Sequence, residues 1–174
     1  MKDATLIERA AAFARKAHQG QTRKYSGIPY VTHPEAVAHL VAERTDKPEL
    51  IAAAYLHDTM EDCGVSCGEI AGLFGAEVAE IVSSLTNDEQ RKAVCGKVAY
   101  MTDKLRSLSP EALLVKLCDT FHNITETPNQ HQALNYKLIV EGVLARRPAG
   151  WNEIHEQLAA SILATYSHKW GEVE

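Results

Sequence analysis

The stretch AAAYLHDTMED, residues 52–62, begins with apolar residues and ends with side chains of the types that bind metals. The almost continuous apolar letters before the cluster predict a helix that is buried on several sides. Ionisable groups in such surroundings are costly unless they are paired or bind a metal, and a divalent cation relieves the repulsion between close carboxylates. We therefore predict a metal role for His57 and Asp58, with a solvated helix end as the alternative. The cluster has four members: His57, Asp58, Glu61 and Asp62.

Regular helical spacing explains only part of this cluster. One continuous helix places His57 above Glu61 and Asp58 above Asp62, because residues four apart are neighbours on the helix surface. Adjacent residues, however, point about 100° apart on a regular helix. His57 and Asp58 should therefore not easily bind one ion, and periodicity alone does not predict that they do.

Composition limits the class of protein. The 174 residues are 45% hydrophobic and 24% charged, which is typical of a globular protein and predicts one domain. A net charge of −5 disfavours a nucleic-acid partner. No apolar run approaches the roughly 20 residues of a membrane span, and the amphipathic start does not resemble a signal sequence. We predict a cytoplasmic protein that binds neither nucleic acid nor membrane, and the sequence leaves its oligomeric state open.

Helix signals recur along the chain and strand signals do not. Pro34 is expected to open a helix that runs through Glu43, and two more helices are expected between about residues 129 and 170. No convincing alternating pattern of apolar and polar residues appears. The predicted fold is all-α, a single helical bundle. Further helix starts are marked by Pro48, by a capping box of Ser66 with Glu69, and by Ser109 before Pro110.

Two more metal-ligand candidates lie far from the cluster in sequence. Asp119 lies on the otherwise apolar segment LLVKLCDTFHNI, residues 113–124, with Asn123 four residues later on the same face. A buried Asp can instead be hydrogen-bonded to a helix end. His33, in VTHPEAV, can instead be a helix cap or a packed surface residue. Two imidazoles and two carboxylates suit Mn²⁺, Fe or Zn²⁺ better than Mg²⁺ or Ca²⁺.

Four segments together resemble a known family. They are FARKAHQGQTRKYSGIPYVTHPEAVA (13–38), AAAYLHDTMED (52–62), FGAEVAEIVSSLT (74–86) and LLVKLCDTFHN (113–123). In this order they resemble the HD phosphohydrolase superfamily and, more closely, the hydrolase domain of the RelA/SpoT homologue alarmone enzymes. The resemblance implies a small alarmone hydrolase of the metazoan SpoT homologue type, with one HD domain over residues 1–174 and no synthetase domain.

The resemblance also implies a role for each site residue. Glu61 and Asp62 position and activate the attacking water. The ion, usually Mn²⁺ in this family, is held by His33, His57, Asp58 and Asp119. The nucleotide is held by Arg23, Lys24 and Asn123, and Tyr136 corresponds either to a substrate-contacting tyrosine or to a core aromatic residue.

The activity that this resemblance implies is removal of the 3′-diphosphate from ppGpp or pppGpp as pyrophosphate, leaving GDP or GTP. Thr120 stands where the family commonly has Arg or Lys, which puts the preferred nucleotide in doubt. One alternative is the same fold acting on ppApp, pppApp or NADPH. Another is a catalytically silent nucleotide-binding module. Glu61 and Asp62 argue against silence, because binding alone does not require such groups.

Overall fold

The apolar segment before the HD dipeptide forms the centre of the first part of the chain. In the computed structural model, which describes residues 5–171, a helix spans Pro48–Leu56 and residues 50–56 are all buried. Helices that precede and follow it in sequence pack against it. The prediction of a helix buried on several sides is confirmed.

The predicted all-α fold is confirmed. The described residues form eleven helices and no strand, apart from an isolated antiparallel bridge between Thr22 and Pro29. Within residues 5–171, no helix is both long and apolar enough to cross a membrane. The contacts divide the chain between Thr86 and Asn87 into two compact units. The sequence-based expectation of one domain over residues 1–174 stays a prediction.

The first unit is organised around its third helix, which packs against the first, second and sixth helices. The fifth and sixth helices pack against each other, and the short fourth helix contacts the first. The helices of this unit are α1 (Leu6–Ala17), α2 (Thr32–Ala42), α3 (Pro48–Leu56), α4 (Thr59–Cys63), α5 (Cys67–Phe74) and α6 (Ala76–Leu85).

The second unit is organised around the tenth helix of the chain, which contacts the eighth, ninth and eleventh helices. The ninth and eleventh helices also pack against each other. The helices of this unit are α7 (Glu89–Cys95), α8 (Lys97–Ser107), α9 (Pro110–Glu126), α10 (Gln130–Ala145) and α11 (Glu153–Trp170).

Most predicted helix starts are confirmed, because capping signals act within one turn of chain. Ser66 and Glu69 form the predicted capping box of α5, and Ser109 caps α9. The predicted start of α2 at Pro34 is wrong by two residues. The Thr32 hydroxyl donates to the Pro29 carbonyl, and this turn begins the helix at Thr32. Helices α7 and α8 were not predicted, and α7 buries no residue.

A neutral histidine joins the starts of α9 and α11. The His155 Nε2 donates to the Pro110 carbonyl at 3.0 Å, and its Nδ1 accepts from the Asn152 amide at 3.1 Å. One nitrogen donates and the other accepts, so both bonds require the uncharged ring. Burial lowers the pKa of His155, against the opposing effects of the Pro110 bond and of Glu111.

We expect this histidine to make the stability of the protein pH-dependent. In the unfolded chain His155 titrates near its ordinary pKa of 6.5, above its folded pKa. Its contribution is therefore complete above pH 6.5 and is lost as the pH falls through the folded pKa. At pH 7.5 His155→Gln should lower the free energy of unfolding by about 1–3 kcal/mol, and the gap to wild type should narrow towards pH 5. Denaturant unfolding across this range measures the gap, and His131→Gln, at an exposed position, is the control. A gap that stays constant with pH contradicts the prediction.

Candidate functional site

The HD dipeptide lies at a break between two helices, and the single helix assumed over residues 52–62 is wrong. Helix α3 ends at Leu56 and α4 begins at Thr59, with His57 and Asp58 between them. Two side chains bond backbone carbonyls of α3 at this junction. The His57 ring bonds the Ala54 carbonyl at 2.7 Å, and the Thr59 hydroxyl donates to the Leu56 carbonyl at 2.7 Å. His57 and Asp58 therefore lie outside a regular helix, where adjacent side chains would point about 100° apart.

Three of the four predicted metal ligands converge in the first unit. His33, His57 and Asp58 each offer a ligand atom, and these atoms lie within 4.8 Å of one another. The Asp58 Oδ2 lies 3.1 Å from the His57 Nε2 and 3.6 Å from the His33 Nε2. Both imidazoles are buried, and Asp58 is half-buried. Nitrogen and carboxylate ligands in this arrangement form a candidate site for a divalent transition metal.

The hydrogen bond of His57 indicates where its lone pair lies. A carbonyl only accepts, so the Nδ1 that bonds Ala54 must be the protonated nitrogen of the neutral ring. The Nε2 lone pair then faces the Asp58 carboxylate at 3.1 Å. Two acceptors at this distance need a positive charge between them, either a proton or a metal ion. Metal-binding histidines commonly donate their other N–H to a backbone carbonyl, so the residues present fit a metal.

Tyr30 supports this cluster, and the sequence analysis did not identify it. Its hydroxyl donates to the Asp58 Oδ2 at 2.7 Å, and its ring lies 5.9 Å from the His33 ring, centroid to centroid. The backbone amide of His33 donates to the Tyr30 carbonyl at 2.9 Å. The PYVTH sequence, residues 29–33, places Tyr30 three residues before the candidate ligand His33, and this spacing could have indicated that the two lie close together.

The two predicted catalytic carboxylates lie on α4. Glu61 and Asp62 are both exposed residues in its first turn. The carboxyl group of Asp62 nevertheless lies close to Asp58 and Tyr30. Partial burial and then the charge of Asp58 raise the pKa of Asp62, and the hydrogen bond from Tyr30 opposes them. A carboxyl group beside the candidate metal-binding residues is placed where it could accept a proton.

The predicted basic pair lies in the loop that leads to His33. The amide of Arg23 donates to the Ile28 carbonyl at 2.8 Å, which closes the loop around its tip. The Arg23 guanidinium lies over the Tyr30 ring, 5.6 Å from its centroid, and the Lys24 ammonium lies over the exposed ring of Tyr25. Arg23 is therefore held beside a tyrosine that donates to Asp58, one of the candidate metal ligands.

The other predicted site residues lie in the second unit. Asp119 is buried on α9, and its two carboxylate oxygens have different partners. Lys116 lies 2.7 Å from its Oδ2, and the Asn123 amide donates to its Oδ1 at 2.5 Å. The pairing of Asp119 with Asn123 on one helix face is confirmed. A role for Asp119 as fourth metal ligand stays a prediction.

Asp119 lines a pocket of about 120 Å³, and three lysines that the sequence did not point to also line it. Lys97 lies over the Tyr136 ring at 5.3 Å, and burial, then the charges of Lys92 and Lys116, lower its pKa. The segment that supplies Lys92 and Lys97 has weak apolar periodicity, so only its basic residues could have indicated the pocket. The lining residues are Asn87, Lys92, Lys97, Met101, Leu105, Lys116, Asp119, Thr120, Asn123, Tyr136 and Ile139.

The helical fold and the histidine–aspartate cluster agree with a comparison against protein families. Residues 10–144 match the family model described as HD domain. The chain belongs to the HD-domain family. The structure of this chain aligns over 99% of its length with 99% of a solved metazoan SpoT ortholog reported to hydrolyse ppGpp, with a TM-score of 0.79 and 22% identity. That likeness supports the HD-domain fold.

Two curated relatives are similar in sequence to this HD domain. The bifunctional (p)ppGpp synthase/hydrolase SpoT of Escherichia coli is 37% identical over 123 residues, which are 68% of this chain and 17% of the relative. A GTP pyrophosphokinase of Streptomyces coelicolor is 34% identical over 168 residues, which are 90% of this chain and 20% of the relative. The chain thus spans about a fifth of the length of these relatives.

Proposed function

We propose that this HD domain is a metal-dependent hydrolase that removes the 3′-diphosphate of ppGpp or pppGpp as pyrophosphate and leaves GDP or GTP. The observation that carries the proposal is the cluster in which the His57 Nε2 and the Asp58 Oδ2 face each other at 3.1 Å, with His33 beside them. Both the E. coli relative and the solved metazoan ortholog are described as acting on ppGpp. We place the protein in the cytoplasm.

We propose Mn²⁺ as the ion, because a mixed set of imidazole and carboxylate ligands suits it. When bound, a divalent metal activates water and neutralises charge that develops on a phosphoryl group. The proposed ligands are His33, His57, Asp58 and Asp119.

Two carboxylates of α4 are assigned to proton transfer. Asp62, whose pKa is raised by partial burial and by Asp58, accepts a proton from the attacking water. Glu61, exposed in the same helical turn, orients that water. Proton transfer by a positioned carboxylate typically contributes about 10²–10⁴-fold to a rate.

Each unit has cationic side chains that are suited to a phosphate. In the first unit these are Arg23 and Lys24, in the loop before His33, and in the second unit they are the lysines of the pocket that Asp119 lines. Asn123 and Tyr136 line that pocket and would contact the nucleotide. Two of its three lysines are paired with carboxylates, Lys116 with Asp119 and Lys92 with Glu89, and the remaining positive charge favours an anionic ligand. The lysines compensate for Thr120 at the position where the family commonly has a basic residue.

A product assay tests the activity. Purified protein loaded with Mn²⁺ is incubated with one nucleotide at a time: ppGpp, pppGpp, ppApp or NADPH. Each incubation is run with and without a chelator, and the products are identified by chromatography. We expect pyrophosphate and GDP from ppGpp, and no product when the chelator is present. Turnover of ppApp or NADPH without turnover of ppGpp would reject the guanine alarmone as substrate. Binding of ppGpp without any product would support the silent module instead.

We expect Lys97→Gln to weaken substrate binding. Lys97 is half-buried in the pocket among like charges, so a bound phosphate would relieve their repulsion. Loss of one charge-assisted contact should raise the KM for ppGpp about tenfold, with kcat little changed. Steady-state kinetics measure both constants, and Lys16→Gln on the exposed face of α1 is the matched control. An unchanged KM for Lys97→Gln would exclude Lys97 from phosphate binding.

A further inference from the structure

Gln21 connects the end of α1 to the helix that contains the proposed catalytic carboxylates. Its Nε2 donates to the backbone carbonyl of Asp62 at 3.1 Å, and its Oε1 lies 2.7 Å from the Nδ1 of His18. His18 is the buried C-terminal cap of α1. The bond between Gln21 and Asp62 joins residues that are 41 positions apart in the sequence.

The partners of Gln21 fix the orientation of its amide. The Asp62 carbonyl can only accept, so the NH₂ group of Gln21 must face it and the amide oxygen must face His18. The Nδ1 of His18 therefore has the hydrogen and donates it. Cys63 lies at the same junction, with its Sγ 3.3 Å from this nitrogen and 3.8 Å from the Gln21 Nε2.

The backbone of Gln21 is also connected, through Tyr30, to the candidate metal ligand Asp58. Its carbonyl accepts from the Tyr30 amide at 2.9 Å, and the Tyr30 hydroxyl donates to the Asp58 Oδ2 at 2.7 Å. Gln21 thus contacts Tyr30, which donates to the proposed metal ligand Asp58, and it also contacts α4, which contains the proposed proton acceptor Asp62. The distance between these two groups decides whether the proton acceptor reaches the attacking water.

We propose that Gln21 is a positioning residue. His18 holds the side chain of Gln21 in its orientation, and Gln21 in turn holds α4, so that it sets the position of Asp62 relative to the candidate metal ligands His33, His57 and Asp58. The inference rests on the proposed hydrolase function. It assigns Gln21 no contact with the substrate. Its effect on the rate passes through Asp62.

The test uses the full chain with Gln21→Ala and with Gln21→Met, which keeps the side-chain length and removes the amide. Amide hydrogen exchange should become faster in α4, residues 59–63, and stay unchanged in α9. The kcat for ppGpp should fall about tenfold or more, because small misplacements of reacting groups are costly, while KM and the Kd for Mn²⁺ stay unchanged. Gln19→Ala, at an exposed position two residues away, is the matched control and should change none of these values.

A double-mutant cycle separates positioning from a general structural role. In an Asp62→Asn background, Gln21→Ala should lower kcat little further, because both changes act through one carboxylate. An equal fall in kcat in both backgrounds would overturn the proposal, as would unchanged exchange in α4. If the wild type does not hydrolyse ppGpp, the proposed function fails, and the exchange of α4 alone decides whether Gln21 holds Asp62 in place.

Discussion

His57→Ala is expected to lower the rate of ppGpp hydrolysis by about a thousandfold, because the metal contributes several kcal/mol and each 1.4 kcal/mol or so is tenfold in rate. The ring places its Nε2 at 3.1 Å from the Asp58 Oδ2 while its Nδ1 bonds the Ala54 carbonyl. Alanine removes the proposed ligand atom, which is also the imidazole nitrogen that lies 3.1 Å from the aspartate. Steady-state kinetics at saturating Mn²⁺ measure the loss.

A readout independent of activity accompanies this prediction. A ligand that binds only the folded state raises the unfolding temperature, so Mn²⁺ should stabilise the wild type and stabilise His57→Ala much less. His33→Asn provides a second ligand variant in case the first folds poorly, and His131→Ala on the exposed side of α10 is the control. Mn²⁺-induced stabilisation and turnover that both survive in His57→Ala would contradict the assignment of this histidine as a ligand.

Asp62→Asn is expected to lower kcat by about a hundredfold or more while the Kd for Mn²⁺ stays unchanged. The substitution keeps the shape of the side chain and removes the carboxylate that we propose as the proton acceptor. Asp62 is not part of the group formed by His33, His57 and Asp58, so metal binding should not depend on it. Rapid-quench measurement of product formation reports the chemical step, and metal titration by calorimetry reports the Kd.

Asp46→Asn, in the exposed loop before α3, is the matched control for Asp62→Asn and should behave as wild type. If Asp62→Asn instead abolishes metal binding, Asp62 is a ligand and the division of roles between Asp58 and Asp62 is wrong. If kcat is unchanged while nucleotide affinity falls, the carboxylate binds substrate and the proton acceptor lies elsewhere.

Helix starts in this protein could be predicted because their determinants are local. The Ser66–Glu69 box and the Ser109 cap each satisfy backbone groups within three residues of chain. The apolar run before His57 likewise predicted a buried helix, since a helix that is apolar on several sides is stable only inside the protein. Helix α7 has a cap of the same kind, because Asp88 accepts from the Arg91 amide, but it buries none of its side chains and so has no apolar pattern to mark it as a helix.

The sequence by itself determined the all-α class, most helix starts and the identity of the candidate ligands, because these depend on composition, capping and a recognisable order of motifs. Only the tertiary structure decided how adjacent residues His57 and Asp58 come to face each other. Bonds to the carbonyls of Ala54 and Leu56 accompany a helix break that periodicity does not encode. Contacts that join distant parts of the chain, such as Tyr30 with Asp58 and Gln21 with Asp62, arise from packing, and spacing along the sequence has no bearing on them.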